Sequence, residues 1–112
     1  MIILSNKLPR LLSKISGMYI TGVTIFGFII IRPECAGDSQ LINHESIHVA
    51  QYKETLFLGF FLIYGWDFFA GIFSGKSWSQ AYESTRFEIE AYDNDGIYDY
   101  LETRKRFAWL RL

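Results

Sequence analysis

His44-Glu45-Ser46-Ile47-His48 spells an HExxH pattern, and it holds both histidines of the chain. On an α-helix, positions i and i+4 lie nearly above one another, so the two imidazoles can reach one metal ion. Glu45 follows His44 at about 100° around the helix. From there its carboxylate reaches a water on the metal's open position rather than the metal itself. The chemistry this spacing suits is metal-assisted hydrolysis, with Zn2+ as the expected metal. The competing reading is an ordinary amphipathic helix with a satisfied imidazole. Two histidines scattered at random would seldom fall four apart with Glu in the second slot. The flanks also fit a helix, since Asp38 and Ser39 are N-cap types and Ile47, Val49 and Ala50 follow.

Catalytic zinc takes three protein ligands and a water. No third histidine exists, and the single Cys35 lies too near His44 to be a comfortable ligand. Cys35 reads as a small packed residue. The third ligand is therefore a carboxylate, and the best segment for it is Arg86-Phe87-Glu88-Ile89-Glu90-Ala91-Tyr92. Glu88 and Glu90 stand about 200° apart on a helix, so only one can face the metal. The other is expected to be a solvated helix-face carboxylate. Glu83 and Asp93 are more distant alternatives.

With these two motifs the chain resembles the gluzincin metallopeptidases, in which HExxH is completed by a Glu on a later helix. The ligand there often sits in a Glu-x-x-Ala or Glu-x-x-Ser frame, which Glu88 and Ala91 match. The short length is similar to that of the smallest members, the minigluzincins. The likeness runs from about Ile29 to Tyr92. It implies a zincin-like active-site helix, zinc held by His44, His48 and Glu88, and Glu45 as the general base. It also implies a peptide or protein substrate, and a cleft-lining strand within Ile25–Ile31 that pairs with substrate backbone. The family's later helix often carries an Asp four residues after the ligand, to orient a histidine. Here that position is Tyr92, and Asp93 is one residue too far. Tyr82 and Tyr92 are candidate donors to the oxyanion.

At 112 residues the chain is expected to form one domain, 1–112, with a modest core. Half the residues are apolar and 18% aromatic, which excludes disorder. One cysteine excludes an internal disulfide, so nothing demands an oxidising compartment. Residues 1–32 carry Lys7, Arg10, Lys14 and Arg32 and no acid, whereas 33–103 hold all twelve acids. The last nine residues are again basic. No nucleic-acid reader motif accompanies these bases, so no nucleic-acid partner is expected. The N-terminal apolar stretch is interrupted by Thr and Gly and lacks a signal-peptide cleavage site, so a cytoplasmic location is expected, with membrane association as the alternative.

The elements that must position the motif read as an α+β fold. A small N-terminal sheet, mixed or antiparallel, precedes three to four helices. Met1–Leu4 is a strand candidate, Leu8–Ile15 a brief helix behind Pro9, and Phe26–Ile31 a buried strand. The active-site helix should run from Leu41 to about Leu58. Leu56–Phe73 then follows, eighteen residues with Asp67 as the only charge. Its uninterrupted part is too short to cross a bilayer. It reads as a buried core helix backing the active-site helix, with Asp67 needing a partner. Membrane-surface contact through the same stretch is the alternative, because Tyr64, Trp66 and six Phe fall within it. A helix over Gln80–Tyr92, capped by Ser77 or Ser79, should present Glu88. Asp93-Asn94-Asp95-Gly96 reads as its ending turn, because the first acid of a calcium loop is replaced by Ala91. A last helix over Ile97–Trp109 should pack Leu101 and Phe107 and expose the bases. The rival to an enzyme is a non-catalytic protein that keeps a zincin scaffold for binding, or a membrane-associated one.

Overall fold

The structure, a computed structural model, describes residues 2–110. The fold is α+β. Three short strands, β1 (Ile2–Leu4), β2 (Gly22–Ile25) and β3 (Phe28–Ile31), form a mixed sheet in the order β1-β3-β2. β1 runs parallel to β3 and β2 antiparallel to it. The parallel crossover carries α1 (Lys7–Ser16), closed by Gly17 in the left-handed region at φ 74°. Met1, where the first strand was expected to begin, lies outside the described residues.

The stretch expected as one buried strand, Phe26–Ile31, begins with a turn. Phe26 and Gly27 have φ of 51° and 85° and join β2 to β3 as a two-residue hairpin. A hairpin of this kind needs positive φ at both central residues, matching the twist of its strands. β3 then alternates: Ile29 and Ile31 are buried, while Phe28 is exposed. The sheet is covered on one face, so only every second residue is buried.

α2 (Ser39–Glu54) starts at Asp38, whose carboxylate accepts the Leu41 amide at 3.0 Å. It ends earlier than expected. Leu56 and Phe57 take φ of 54° and 65°, and the chain turns by 111° into α3 (Leu58–Phe73). α4 (Trp78–Glu83) opens with a reciprocal cap between Ser77 and Gln80. α5 (Arg86–Asn94) follows after a break at Ser84-Thr85, so the expected helix over Gln80–Tyr92 is two helices. Asp67 explains the break. Its carboxylate accepts both the Arg86 amide (3.0 Å) and the Arg86 guanidinium (2.8 and 2.9 Å), capping α5 from α3. Gly71 lets α4 press on α3, since a Cβ there would lie 3.0 Å from that of Ala81.

Where α2, α3 and α5 meet, the core is an aromatic stack. Tyr52 lies on Phe60 (3.9 Å between centroids) and Phe60 on Phe87 (4.5 Å), with Trp109 edge-on to Phe87. Each such burial contributes about 1.5–3 kcal/mol. α3 is not the buried core helix its composition suggested. It packs through Phe60, Tyr64, Asp67 and Gly71, one stripe at helical spacing, and exposes the opposite stripe. Covering a second face requires a further layer, and no element lies there among the described residues. Among the described residues no single helix is long and apolar enough to cross a membrane.

The expected last helix is also replaced. α6 spans only Tyr100–Thr103, and Arg104 turns extended at ψ 132° before a 3-10 turn at Ala108–Leu110. Leu101 and Phe107 are exposed, whereas Arg104 is buried between Glu54 and Glu90. The ion pairs pull the chain out of the helical path and turn Arg104 inward, while Lys105 and Arg106 stay exposed as expected.

Candidate metal centre

α2 and α5 pack side by side and bring three buried side chains to one point. His44 Nε2 and His48 Nε2 lie 3.0 and 3.1 Å from the same oxygen, Glu88 Oε1. The three donors lie within 4.8 Å of one another and could hold a metal ion. The sequence placed His44, His48 and Glu88 in one set, and the structure brings them together. Four-coordinate bonds of about 2.0–2.1 Å separate neighbouring donors by about 3.3 Å, so the spacing fits a small cation. Cys35, Glu83 and Asp93 are not in the cluster.

The electrostatics agree with that fit. Burial is the largest influence on His48 and works to lower its pKa, but the Glu88 charge and hydrogen bond overcome it and raise it to about 9. His44 is raised as well, against burial, chiefly by its hydrogen bond to Glu88. Burial alone would raise Glu88, yet His48 and His44 hold it well below the carboxylate range. A buried carboxylate in this position calls for positive charge, and a divalent ion can take the place of the imidazole protons.

Each imidazole is also anchored from behind. His44 Nδ1 donates to Asp95 Oδ2 (2.9 Å), and His48 Nδ1 donates to Gln51 Oε1 (2.7 Å). Both Nε2 atoms are thereby aimed at Glu88. Asp95 is held in turn: Gln40 donates to its other oxygen (2.8 Å) and Asn43 to its carbonyl (2.9 Å) and that of Ile97 (3.0 Å). The sequence reading missed Asp95, Gln51, Gln40 and Asn43. It sought an acid four residues after Glu88, on the helix, and found Tyr92, whose ring packs on His44 at 4.6 Å. The acid arrives instead from the turn beyond the helix. Gln51 was legible in principle, being three residues after His48 on the same helix.

Glu90 is not the solvated carboxylate expected. It is fully buried, and accepts from Arg104 (2.6 and 3.0 Å), Tyr100 (2.7 Å) and Gln51 (2.9 Å). It stands off the metal donors, as the 200° argument required, but its partner Arg104 is one of the bases that the last helix was expected to expose.

Glu45 lies at the same place, buried, with Oε2 accepting from the Thr24 hydroxyl at 2.6 Å. Burial pushes its carboxyl above the usual range, while His48 and Thr24 work against the rise. Gly22 faces the other oxygen; a Cβ there would lie 3.6 Å from Glu45 Oε1. Two clefts flank Glu45. One, of about 280 Å³, is lined by Val23, Ile25, Phe60, Phe61, Tyr64 and Glu88 among others. The second, of about 240 Å³, includes His44, Tyr82, Tyr92 and Asp95. Gly22, Glu45 and Tyr82 line both. The strand bordering these clefts is β2, the edge of the sheet, and not the central β3 that made up most of the expected Ile25–Ile31 stretch. Tyr64 donates to Glu88 Oε2 at 3.2 Å. Burial pushes the Tyr64 and Tyr82 hydroxyls far up and that of Tyr92 to about 12, so all three keep their protons as donors. No protein-family model, no curated protein and no solved structure matches the chain.

Proposed function

We propose that the protein is a zinc-dependent peptidase of the gluzincin type. The observation that carries the reading is the meeting of His44, His48 and Glu88 with Glu45 between two adjoining clefts. Among the described residues the cluster offers three protein donors, the number of a catalytic rather than a structural zinc site. A bound zinc ion supplies Lewis acidity and lowers the pKa of water to near neutrality.

The chain's own residues do the rest. Glu45 takes a proton from the attacking water through the oxygen that Thr24 leaves free, and returns it to the amine nitrogen as the C–N bond breaks. Burial, which raises its carboxyl, favours the protonated form that it must hold between the two transfers. Asp95 and Gln51 fix both imidazoles with Nε2 toward Glu88, where the three would hold the metal. Tyr82, which lines both clefts, is the best-placed donor to an oxyanion, ahead of Tyr92 beside His44. β2 is an edge strand along the cleft; the Tyr52 hydroxyl takes its Thr24 carbonyl (2.9 Å), and its other outward groups can pair with an extended substrate backbone.

The test is a pair of variants on zinc-loaded protein, read by metal content and by cleavage of a quenched peptide library. Glu45→Gln should keep about one zinc per chain and lose cleavage by about 10²–10⁴-fold. His48→Ala should lose both. A wild-type protein that holds zinc and cleaves nothing in the library, with Glu45→Gln indistinguishable from it, would favour a non-catalytic zincin scaffold.

A further inference from the structure

Besides the centre, the largest unexplained feature is the outer side of α3. Leu58, Leu62, Trp66, Phe69 and Phe73 follow one another at spacings of four, four, three and four, which is one stripe of a helix. Each is 61–87% exposed. The packed stripe of Phe60, Tyr64 and Gly71 lies on the opposite side, so α3 is apolar all round while resting on the surface. A helix of that composition is normally covered, and a contiguous apolar row of this kind marks an interaction surface.

Two turns extend the row. Phe26 and Phe57 both hold positive φ, a conformation costly for bulky side chains and normally left to Gly or Asn. Phe26 packs on Phe61 of α3 at 5.2 Å, and Phe57 lies against Gly27. Phe26 stays about half exposed despite the backbone cost, and Phe57, stacked on Tyr52, keeps 37% of its surface open. Leu56, also at positive φ, is 84% exposed. The turns thus present large apolar groups outward beside α3.

The chemistry of the surroundings selects the occupant. Leu12 of α1 and Phe61 of α3 line the same cleft, so the two helices border one mouth. The outer side of α1 shows Lys7, Arg10 and Lys14 with exposed Leu11 and Ile15, and residues 1–32 hold no acid. Asp67, the one acid of α3, is turned inward onto Arg86. Apolar rings and tryptophan next to an acid-free basic helix match an anionic lipid surface, with rings at the acyl boundary and cations at the headgroups. A second copy fits less well, because a two-fold contact offers the same chemistry from both sides and no acid to meet the cations.

We propose that the outer row of α3, with the Phe26 and Phe57 turns and the basic face of α1, docks on an anionic membrane surface. Docked this way, the cleft mouth at Phe26 and Phe61 lies at the lipid boundary. The inference stands apart from the peptidase reading and is tested without any measure of cleavage.

The experiment is vesicle flotation of the whole protein on a density gradient, where aggregates stay at the bottom and bound protein rises. Vesicles of phosphatidylcholine alone are compared with vesicles that also contain phosphatidylglycerol. The protein should float with the anionic vesicles, and high salt should remove part of the binding but not all. Leu62→Ser with Trp66→Ser and Phe69→Ser, checked for native circular dichroism, should lower the bound fraction at least about tenfold. Lys7→Gln with Arg10→Gln and Lys14→Gln should abolish the preference for anionic lipid. Wild-type tryptophan emission should be quenched by brominated phosphatidylcholine, and Trp66→Phe should remove that quenching. This measurement decides the matter if the triple serine variant does not fold. Protein that stays at the bottom with anionic vesicles overturns the proposal, as does floating protein with Trp66 unquenched. A dimer in sedimentation that the serine variant dissociates, without flotation of the wild type, assigns the row to a second copy and also overturns it.

Discussion

α2 and α3 are both sixteen residues long and follow one another across a single turn, yet they invert the usual rule of burial. α2 carries two histidines, two glutamates, Asn43, Gln51 and a lysine, and five of these seven side chains are buried. α3 is almost wholly apolar, and only Phe60 and Gly71 are fully buried. The difference lies in their neighbours. α2 is enclosed by β2, α3 and α5, and its polar atoms find partners at hydrogen-bond distance on nearly every side. α3 lies at the edge, with one side packed. Burial in this chain follows how many sides of a helix are covered, and the polar network pays for it with mutual satisfaction.

The sharpest way to break that comparison is to remove one member of the enclosed network. Glu88→Ala leaves two imidazoles without their shared carboxylate, and bound zinc should fall from about one per chain to near zero. Equilibrium dialysis with metal analysis reads this directly, and full zinc retention would place the third ligand elsewhere.

On the reverse side of α5, Arg104→Ala strands Glu54 and Glu90, the latter fully buried. Breaking a buried pair in this way costs about 3–5 kcal/mol. Urea unfolding should show the loss, and Glu90→Ala should destabilise for the same reason from the other side. A cost below about 1 kcal/mol would mean that the pair behaves as if exposed.

Asp95→Asn probes the anchor rather than the ligand. Zinc affinity should weaken by about 10–100-fold, the usual effect of losing a carboxylate behind a ligating imidazole. Titration against a chelator of known affinity checks it. An unchanged affinity would show that Gln40 and Asn43 hold His44 through the turn without the charge.

Acid should release the C-terminal turn. Burial would raise the Glu54 carboxyl, but Arg104, the Phe107 amide and Trp109 together lower it from its ordinary 4.5. A depressed carboxylate stabilises the fold above its unfolded value and loses that contribution as pH falls through the folded one. Trp109, whose Nε1 donates to Glu54 at 3.1 Å, reports the event. In a Trp66→Phe, Trp78→Phe background its emission should stay constant from neutral pH to about 5 and shift only below about 4.5. A shift beginning near pH 6 would assign the change to other groups.

The smallest effect belongs to α3. Leu62→Ser should change stability by less than about 0.5 kcal/mol, because an exposed side chain has little to lose on unfolding. A cost near that of Arg104→Ala would mean that the outer row is covered in the folded protein, and the contrast between the helices would disappear.

Much of this arrangement was legible beforehand, and the parts that were not share a reason. The α+β order, the helical HExxH segment and the single exposed choice between Glu88 and Glu90 follow from local periodicity, which the chain carries in its own spacing. Asp95 escaped because it reaches His44 from a turn past the end of α5, where helical spacing no longer measures distance. The burial of Glu90 escaped because its partner, Arg104, lies fourteen residues on, in a segment that reads as a helix until the ion pair bends it. The split between α4 and α5 depends on a carboxylate of α3.

By itself the sequence determined that two imidazoles and a carboxylate share one helix face, that a later helix supplies a second carboxylate, and that one long stretch is apolar on every side. Those are properties of neighbours three and four residues apart, set by helix geometry alone. The tertiary structure decided which carboxylate meets the histidines, what holds each ring from behind, and which apolar stripe is covered. These depend on which elements pack together, and a contact across some forty or fifty residues leaves no periodic trace in the chain that makes it.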